Sequence, residues 1–264
     1  MSDAGVAAAR ELAAVTTDLI TTFDPEDWAA DAACRGWRVQ DLICHMGFFF
    51  NFIADPTLDL PDNPSGRSER LNDAAVIERA DWEPAEVVEY YRVQSAAGLG
   101  ALEALPAPEM SSATVDLLDL GTYHLAQLAD ALAFDHLVHL TADLLAPFGP
   151  VSTDLAIAVG AAIDPAIDWM MAGLPAMCGD VLTAALDAPV GLHLTGVTDR
   201  SFRIERIEDG VVVTETPDLP DHVANSDALD FTRWATRRTA WRSAVDITGD
   251  RARVAGVLDR IDIV

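Results

Sequence analysis

The sequence contains no lysine, so its basic residues are 17 arginines, which stand against 43 acidic residues and leave a formal net charge of −26. An electric field of that sign repels nucleic acids and anionic membrane surfaces. We therefore expect neither nucleic acid nor a membrane as a partner. A solvated acidic surface accounts for the surplus charge without any specific function.

Cysteine is scarce too, because the chain has only Cys34, Cys44 and Cys178. Their number is odd and no two of them form a C-x-x-C pair, so the sequence does not predict a disulfide framework. We expect free thiols in the reducing environment of the cytoplasm.

Long apolar runs are missing as well. No segment approaches the roughly 18 to 20 apolar residues of a membrane span. The N-terminal stretch MSDAGVAAARELAAV carries acidic side chains where an export signal carries basic ones, so we expect no signal peptide. The remaining composition, 50% hydrophobic and 23% charged, is typical of a folded globular protein.

Helical periodicity dominates residues 1–150. Apolar positions repeat at helical spacing in four segments, and residues 55–70, rich in proline, aspartate and serine, predict a loop after the second segment. The predicted helices cover 6–20, 39–53, 84–105 and a fourth segment that begins near 115 or 122 and ends at 145. Four helices of this length predict a four-helix bundle.

The pattern changes after residue 150. Residues 151–189 predict a helical connection that Pro165 and Pro175 break. Residues 190–264 alternate apolar and polar positions in GLHLTG, SFRIERI and GVVVTET, and EDG between the last two is a hairpin signal. Further helices are expected at 226–238 and 249–261. This part of the chain therefore predicts a small α+β domain.

Three polar residues interrupt the apolar fourth segment, in the stretch DHLVH. Asp135 and His139 are one helical turn apart and project from the same face as the preceding leucines, while the other sides of the helix are also apolar. A buried polar side chain without a partner costs about 1–3 kcal/mol. We therefore expect partners for both residues, and their i, i+4 spacing is one that two metal ligands on a helix require.

His45 is the expected third ligand. It lies at the margin of the apolar face of the second predicted helix, and ligands in a bundle converge from facing helices. Cys44 projects to the opposite side. Two histidines and one carboxylate leave coordination positions open, as catalytic sites do. Two alternatives remain: a hydrogen-bonded cluster that only rigidifies the bundle, and a site in which His136 replaces Asp135 as a ligand.

The stretch WRVQDLICHM, residues 37–46, resembles the W-[ST]-V-x-D-L-x-x-H-[LM] signature of the DinB-like superfamily, and more closely the mycothiol-dependent maleylpyruvate isomerase family of actinobacteria. The resemblance implies a metal-binding four-helix bundle followed by a small α+β domain similar to sterol carrier domains. It continues in residues 226–264, which resemble the family's closing pattern of an acidic helix, a G-R pair and a G-D-x-x-x-A helix. Here the pair is Arg237 and Arg238, preceded by Thr236 instead of glycine.

Carried over to this sequence, the family's metal ligands fall on His45, Asp135 and His139. Three departures accompany this match. Asp135 is one methylene shorter than the family's glutamate, and Leu132 stands where an arginine is usual. The family's aspartate after the last histidine comes one residue later, as Asp143. These departures concern the activity more than the fold.

The resemblance also implies an activity. Family members bind a divalent metal, usually zinc, and use a low-molecular-weight thiol such as mycothiol to isomerise or S-conjugate a small electrophile. His136 and Asp143 are then expected to fix an imidazole tautomer beside the metal. Arg237 and Arg238 are expected either to bind a substrate carboxylate or to form ordinary surface ion pairs. The chain is expected to act as a monomer or homodimer. The alternative is a non-catalytic metal-binding, ligand-binding or stress-response protein of the same fold.

Overall fold

The computed structural model describes residues 3–104, 113–208 and 210–263. The chain divides into two compact units, Met1–Ala166 and Ile167–Val264, and the boundary falls inside the segment expected as a connection. Each unit is described separately. Among the described residues, no helix combines the length and the apolarity that crossing a membrane requires.

The first unit is helical, as predicted. Its helices are α1 (Asp3–Ile20), α2 (Pro25–Ala29), α3 (Val39–Ala54), α4 (Ser68–Ile77), α5 (Pro84–Ala104) and α6 (Leu128–Val138). α3 packs along α5, and α1 packs on both α5 and α6, so these four helices form the predicted bundle. The end predicted for the third bundle helix, residue 105, lies outside the described residues. The short helices α2 and α4 were not predicted, and α4 begins inside the expected loop.

The start of α3 is fixed by one carboxylate. Asp41 accepts a hydrogen bond from the backbone N–H of Arg38 at 2.9 Å and another from its guanidinium Nη2 at 3.0 Å. A carboxylate in the first turn satisfies a free backbone donor and interacts favourably with the helix dipole. α3 therefore begins at Val39, as predicted, and this start sets the rotation that turns His45 into the bundle.

The fourth bundle helix begins later than either predicted start. Thr114–Asp116 and Thr122–His124 form strands β1 and β2 of a small antiparallel hairpin instead. Gly121, with a φ of 110°, turns the chain before β2, a conformation that glycine adopts without steric cost. The Tyr123 hydroxyl donates to the Leu120 carbonyl at 2.6 Å. Local turn and strand preferences therefore override the helical periodicity of this stretch.

α6 does not continue as an α-helix to residue 145. From His139 to Leu144 the chain forms a π-helical turn, and the backbone N–H of Leu145 donates to the carbonyl of Leu140, five residues earlier, at 3.1 Å. A π turn accommodates one extra residue without ending the helix. This turn begins at the last of the three predicted metal ligands.

The connection between the predicted domains contains one continuous helix, α7 (Val159–Thr183). The prediction that Pro165 and Pro175 break this segment is therefore wrong. Each proline removes one backbone hydrogen bond. The apolar face of α7, which includes the fully buried Ile163 and Met170, outweighs that loss.

The second unit contains a mixed five-stranded sheet, as predicted for an α+β domain. Its strands are β3 (Val190–Thr195), β4 (Arg200–Ile207), β5 (Gly210–Glu215), β6 (Val223–Asp227) and β7 (Val245–Thr248), in the order β5-β4-β3-β6-β7. β4 and β5 form the predicted antiparallel hairpin, and residue 209, the middle residue of the EDG signal, lies outside the described residues. β3 and β6 run parallel, and the remaining pairs are antiparallel.

Besides the C-terminal part of α7, the described part of the second unit contains the helices α8 (Ala228–Ala235) and α9 (Arg251–Leu258). The Asp227 carboxylate caps α8 by accepting from the backbone N–H groups of Leu229 and Asp230. The helix predicted at 226–238 is therefore shorter at both ends. Its first residues belong to β6, and Arg237, with a φ of 61°, lies past its C-terminus.

Gly98 marks a close approach of α5 to α3. A Cβ added at this position would lie 2.8 Å from the carbonyl oxygen of Phe50 and 3.1 Å from its Cα. The variant Gly98→Ala must push the two helices apart, so we expect it to lower the free energy of unfolding by about 1–3 kcal/mol. Urea unfolding followed by circular dichroism measures this change.

Gly100→Ala is the matched control, because a Cβ at Gly100 on the same helix meets nothing within 4 Å. Alanine favours a helix over glycine by about 0.8–1 kcal/mol, so this variant should be neutral or more stable than the wild type. Equal destabilisation by both variants would contradict the proposed close packing of α3 and α5.

Candidate metal centre

The structure brings together the three residues expected as metal ligands. His45 comes from α3, Asp135 from α6, and His139 from the junction of α6 with the π-helical turn. One possible ligand atom from each lies within 4.8 Å of the others. His45 Nε2 is 3.1 Å from Asp135 Oδ1, and His139 Nε2 is 3.5 Å from the same oxygen. A single carboxylate oxygen therefore faces one nitrogen of each imidazole.

All three side chains lie inside the bundle, at 8%, 10% and 11% exposure for His45, Asp135 and His139. The imidazole rings of His45 and His139 meet edge to face, with centroids 5.0 Å apart. The indole of Trp37, in the signature stretch, packs 4.9 Å from the His45 ring and is fixed by its own Nε1–H donating to Asp73 at 3.1 Å. The signature tryptophan therefore holds the first histidine in place.

Asp143 lies on the other side of His139. Its Oδ2 is 2.7 Å from His139 Nδ1, and the carboxylate is fully buried. An acidic acceptor at Nδ1 keeps a proton on that nitrogen, so Nε2 is the nitrogen left to bind a cation. The π-helical turn contains both residues, and Asp143 reaches the imidazole although it comes one residue later than in the family pattern.

Burial and charge act in opposite directions on these groups. Burial favours a neutral Asp135, but the neighbouring His139 and His45 outweigh it and hold the pKa of Asp135 well below its usual range. Burial lowers the pKa of His45. Burial also disfavours the charged form of His139, but Asp135 and Asp143 together raise its pKa to about 9. Near neutral pH these shifts give a carboxylate on Asp135, a neutral imidazole on His45 and an imidazolium on His139.

The polar atoms around this cluster test whether a metal fits. His45 Nδ1, Asp135 Oδ2 and His136 Nδ1 are buried without a hydrogen-bond partner. Two imidazole nitrogens and one carboxylate oxygen are a donor set suited to zinc and other divalent transition metals. A cation would replace the proton on His139 Nε2 and neutralise Asp135. The residues fit a divalent metal that retains open coordination positions.

A second group of possible ligands was not predicted. Cys34, half-buried, places its sulfur within 4.8 Å of donor atoms of His139 and Asp143. The neighbouring backbone N–H of Ala33 donates to the carbonyl of Asp143 at 2.9 Å and so fixes this loop beside the π-helical turn. No sequence spacing indicates this contact, because it is made by a loop about a hundred residues earlier in the chain.

Cys44, expected to point away from His45, belongs to neither group of possible ligands among the described residues. Its thiol is buried, and burial raises its pKa to about 12. All three cysteines, Cys34, Cys44 and Cys178, are free thiols, as predicted.

The two arginines expected at a substrate carboxylate belong to the second unit, just after α8. Arg237 donates through Nη2 to the carbonyl of Asp259 at 2.8 Å, and its Nε lies 3.8 Å from the carboxylate of Asp262. The backbone N–H of Arg238 donates to the carbonyl of Arg233. These contacts do not test the expected role of the two side chains at a substrate carboxylate, and that role stays a prediction.

The fold and the cluster define a class of two-unit proteins, in which a helical bundle with two histidines and a carboxylate precedes an α+β unit. Residues 9–144, more than half of the chain, match the family model of the mycothiol maleylpyruvate isomerase N-terminal domain. The chain therefore belongs to this family.

Two crystal structures resemble the whole fold. One is a mycothiol-dependent maleylpyruvate isomerase, with 14% sequence identity, and the other is a histidine-to-alanine mutant with that same description, with 12%. Each comparison has a TM-score of 0.55 and covers 92% of this chain and 91% of the other. At these identities the likeness shows a shared fold. No curated protein has a significantly similar sequence.

The protonation of His139 provides a test of the cluster's electrostatics. We expect its imidazole to titrate near pH 9 in the metal-free protein. A folded pKa above the unfolded value of about 6.5 means that its contribution to stability is complete below pH 6.5 and is lost as the pH rises through 9. Asp143→Asn removes one of the stabilising charges and should lower the titration midpoint, which histidine NMR measures.

Asp18→Asn, at an exposed position of α1, is the control and should leave the His139 midpoint unchanged. A midpoint for His139 at or below that of a free histidine in the wild-type protein would contradict the charge arrangement described for this cluster.

Proposed function

We propose that this protein is a metal-dependent enzyme that uses a low-molecular-weight thiol to isomerise or S-conjugate a small electrophile. The observation that carries the proposal is the convergence of His45, Asp135 and His139 inside the bundle of a chain that belongs to this family. The similar crystal structures are described as mycothiol-dependent maleylpyruvate isomerases. Mycothiol or a related thiol is therefore the cosubstrate we propose.

His45, Asp135 and His139 would hold the metal, and zinc is the cation we propose. A divalent cation in such a site lowers the pKa of a coordinated thiol, so that thiolate is available at neutral pH. The chain supplies the conditions for this. Asp143 keeps the proton of His139 on Nδ1, and Trp37 packs against His45, so both imidazoles are held in fixed orientations.

The reaction class follows from thiolate chemistry. Addition of a thiolate to a conjugated double bond leaves a single bond that can rotate, and expulsion of the same thiolate restores the double bond as the other isomer. The thiol is then regenerated. If the electrophile carries a leaving group, displacement forms a new carbon–sulfur bond and releases that group, which gives an S-conjugate. The buried position of the cluster limits competition from water.

Metal binding and thiol-dependent turnover test this proposal together. We expect purified protein to bind about one equivalent of zinc and to turn over a conjugated cis-acid such as maleylpyruvate only when a thiol is present. His45→Ala and His139→Ala each remove a ligand, so zinc content and activity should fall by at least about 100-fold. Elemental analysis and absorbance of the conjugated acid measure the two effects.

His124→Ala is the matched control, because His124 is an exposed histidine in β2, and it should change neither quantity. A wild-type protein with no affinity for divalent metals would overturn the proposal. Stoichiometric zinc binding without thiol-dependent turnover of a broad panel of electrophiles would favour the alternative, a non-catalytic binding protein. Asp135, in place of the family's glutamate, is the sequence difference that would then account for the missing activity.

We also propose that Arg237 and Arg238 bind a substrate carboxylate. A guanidinium offers a planar pair of donors that an ammonium does not, so Arg237→Lys and Arg238→Lys should raise KM for a carboxylate-bearing substrate about tenfold with a smaller change in kcat. Arg251→Lys, at an exposed position of α9, is the control. Unchanged KM in both variants would contradict this role, as steady-state kinetics can show.

A further inference from the structure

A polar pair lies deeper in the bundle than the cluster itself. Tyr91 of α5 is 0% exposed and His136 of α6 is 1% exposed. The Tyr91 hydroxyl oxygen lies 2.9 Å from His136 Nε2. Burying two polar side chains where apolar residues would pack costs free energy unless their polar atoms are matched. His136 lies beside Asp135, and the Asp135 carboxylate is the third polar group of this arrangement.

The other ring nitrogen of His136 faces the carboxylate. His136 Nδ1 is 3.2 Å from Asp135 Oδ2, although the two atoms do not form a hydrogen bond. Asp135 Oδ1 faces the opposite way, toward His45 and His139. The carboxylate therefore has one oxygen directed at the candidate ligands and the other directed at His136.

The protonation pattern of His136 follows from its two neighbours. An attractive contact with the carboxylate requires the proton on Nδ1, and in a neutral imidazole Nε2 is then an acceptor. The Tyr91 hydroxyl is the donor that meets Nε2. Burial raises the pKa of Tyr91, so the hydroxyl keeps the proton that it must donate. If the hydroxyl were absent, Nε2 would be a buried acceptor that has lost its donor, and the Nδ1–H tautomer would lose that stabilisation.

The surroundings hold this pair in one geometry. The Phe50 ring packs on the His136 imidazole with centroids 4.9 Å apart. Phe50 of α3 therefore contacts both members of the pair, with its ring centroid 6.0 Å from that of Tyr91, and rotation of either ring would disturb this packing.

We propose that Tyr91 is a positioning residue that, through the Nδ1–H tautomer of His136, holds Asp135 Oδ2 and so directs Asp135 Oδ1 to the metal. This inference rests on the proposed metal site and adds to it a relay from α5. The carboxylate oxygen that does not face the candidate ligands then lies 3.2 Å from a ring whose own position is fixed by Tyr91 and Phe50.

The experiment compares metal affinity in two tyrosine-to-phenylalanine variants. Tyr91→Phe removes only the hydroxyl oxygen and its proton, and we expect cobalt and zinc to bind about 10-fold more weakly or worse, as measured by competition with a chromogenic chelator. Tyr123→Phe is the matched control, because Tyr123 is also buried but donates to the Leu120 carbonyl in the β1–β2 hairpin. It should bind metal as the wild type does.

A double-mutant cycle separates positioning from general destabilisation. His136→Phe removes both ring nitrogens, so in that background Tyr91→Phe should cause no further loss of affinity. The visible spectrum of bound cobalt should change in Tyr91→Phe and stay unchanged in Tyr123→Phe, since it reports ligand geometry.

The outcomes distinguish this inference from the proposed function. Tight metal binding by the wild type with equal affinity and spectrum in Tyr91→Phe would overturn the positioning role and leave the metal site intact. Additive losses in the double variant would also overturn it. Failure of the wild type to bind metal would overturn the proposed function, and the positioning role with it.

Discussion

The candidate centre depends on one arrangement: the Asp135 carboxylate is buried, and one of its oxygens lies between the imidazoles of His45 and His139. Taking an ionised carboxylate out of water costs several kcal/mol, and only nearby positive charge or well-directed donors recover that cost. The imidazolium of His139 supplies such a charge, and its raised pKa is the consequence. A divalent cation can take over the same task. The cost of burying the carboxylate is therefore the physical reason for which we propose a divalent cation as its partner.

Periodicity and spacing were sufficient to predict the bundle, the α+β unit and the three residues of the cluster. These features are local: a helical repeat fixes which face is buried, and an i, i+4 pair fixes which side chains share it. The helical rotation of α3 then brings His45 to the same place. Where local signals competed, the predictions failed, as in α7, whose buried face overrides the helix-breaking tendency of Pro165 and Pro175.

The surroundings of the cluster could not be predicted in the same way, because they depend on contacts between distant elements. Tyr91 appears in the sequence as one aromatic residue in an amphipathic helix, and nothing in its spacing indicates a hydrogen bond to His136. Cys34 approaches His139 and Asp143 through a loop whose course no periodicity fixes. Asp143 was predicted as a neighbour of the cluster, but the sequence did not show how it could act from one residue later than in the family pattern. The π-helical turn explains this.

Asp135 and Asp143 depart from the family pattern in ways that the backbone accommodates. A π turn winds more residues into each turn than an α-helix does, so Asp143, four residues after His139, still meets Nδ1 at 2.7 Å. Asp135 is shorter than glutamate and has fewer rotatable bonds, so it loses less conformational entropy when fixed. With His136 next to its second oxygen, its reach is limited but its direction is defined. Each carboxylate therefore has a defined orientation in this chain, that of Asp143 through the backbone and that of Asp135 beside a neighbouring side chain.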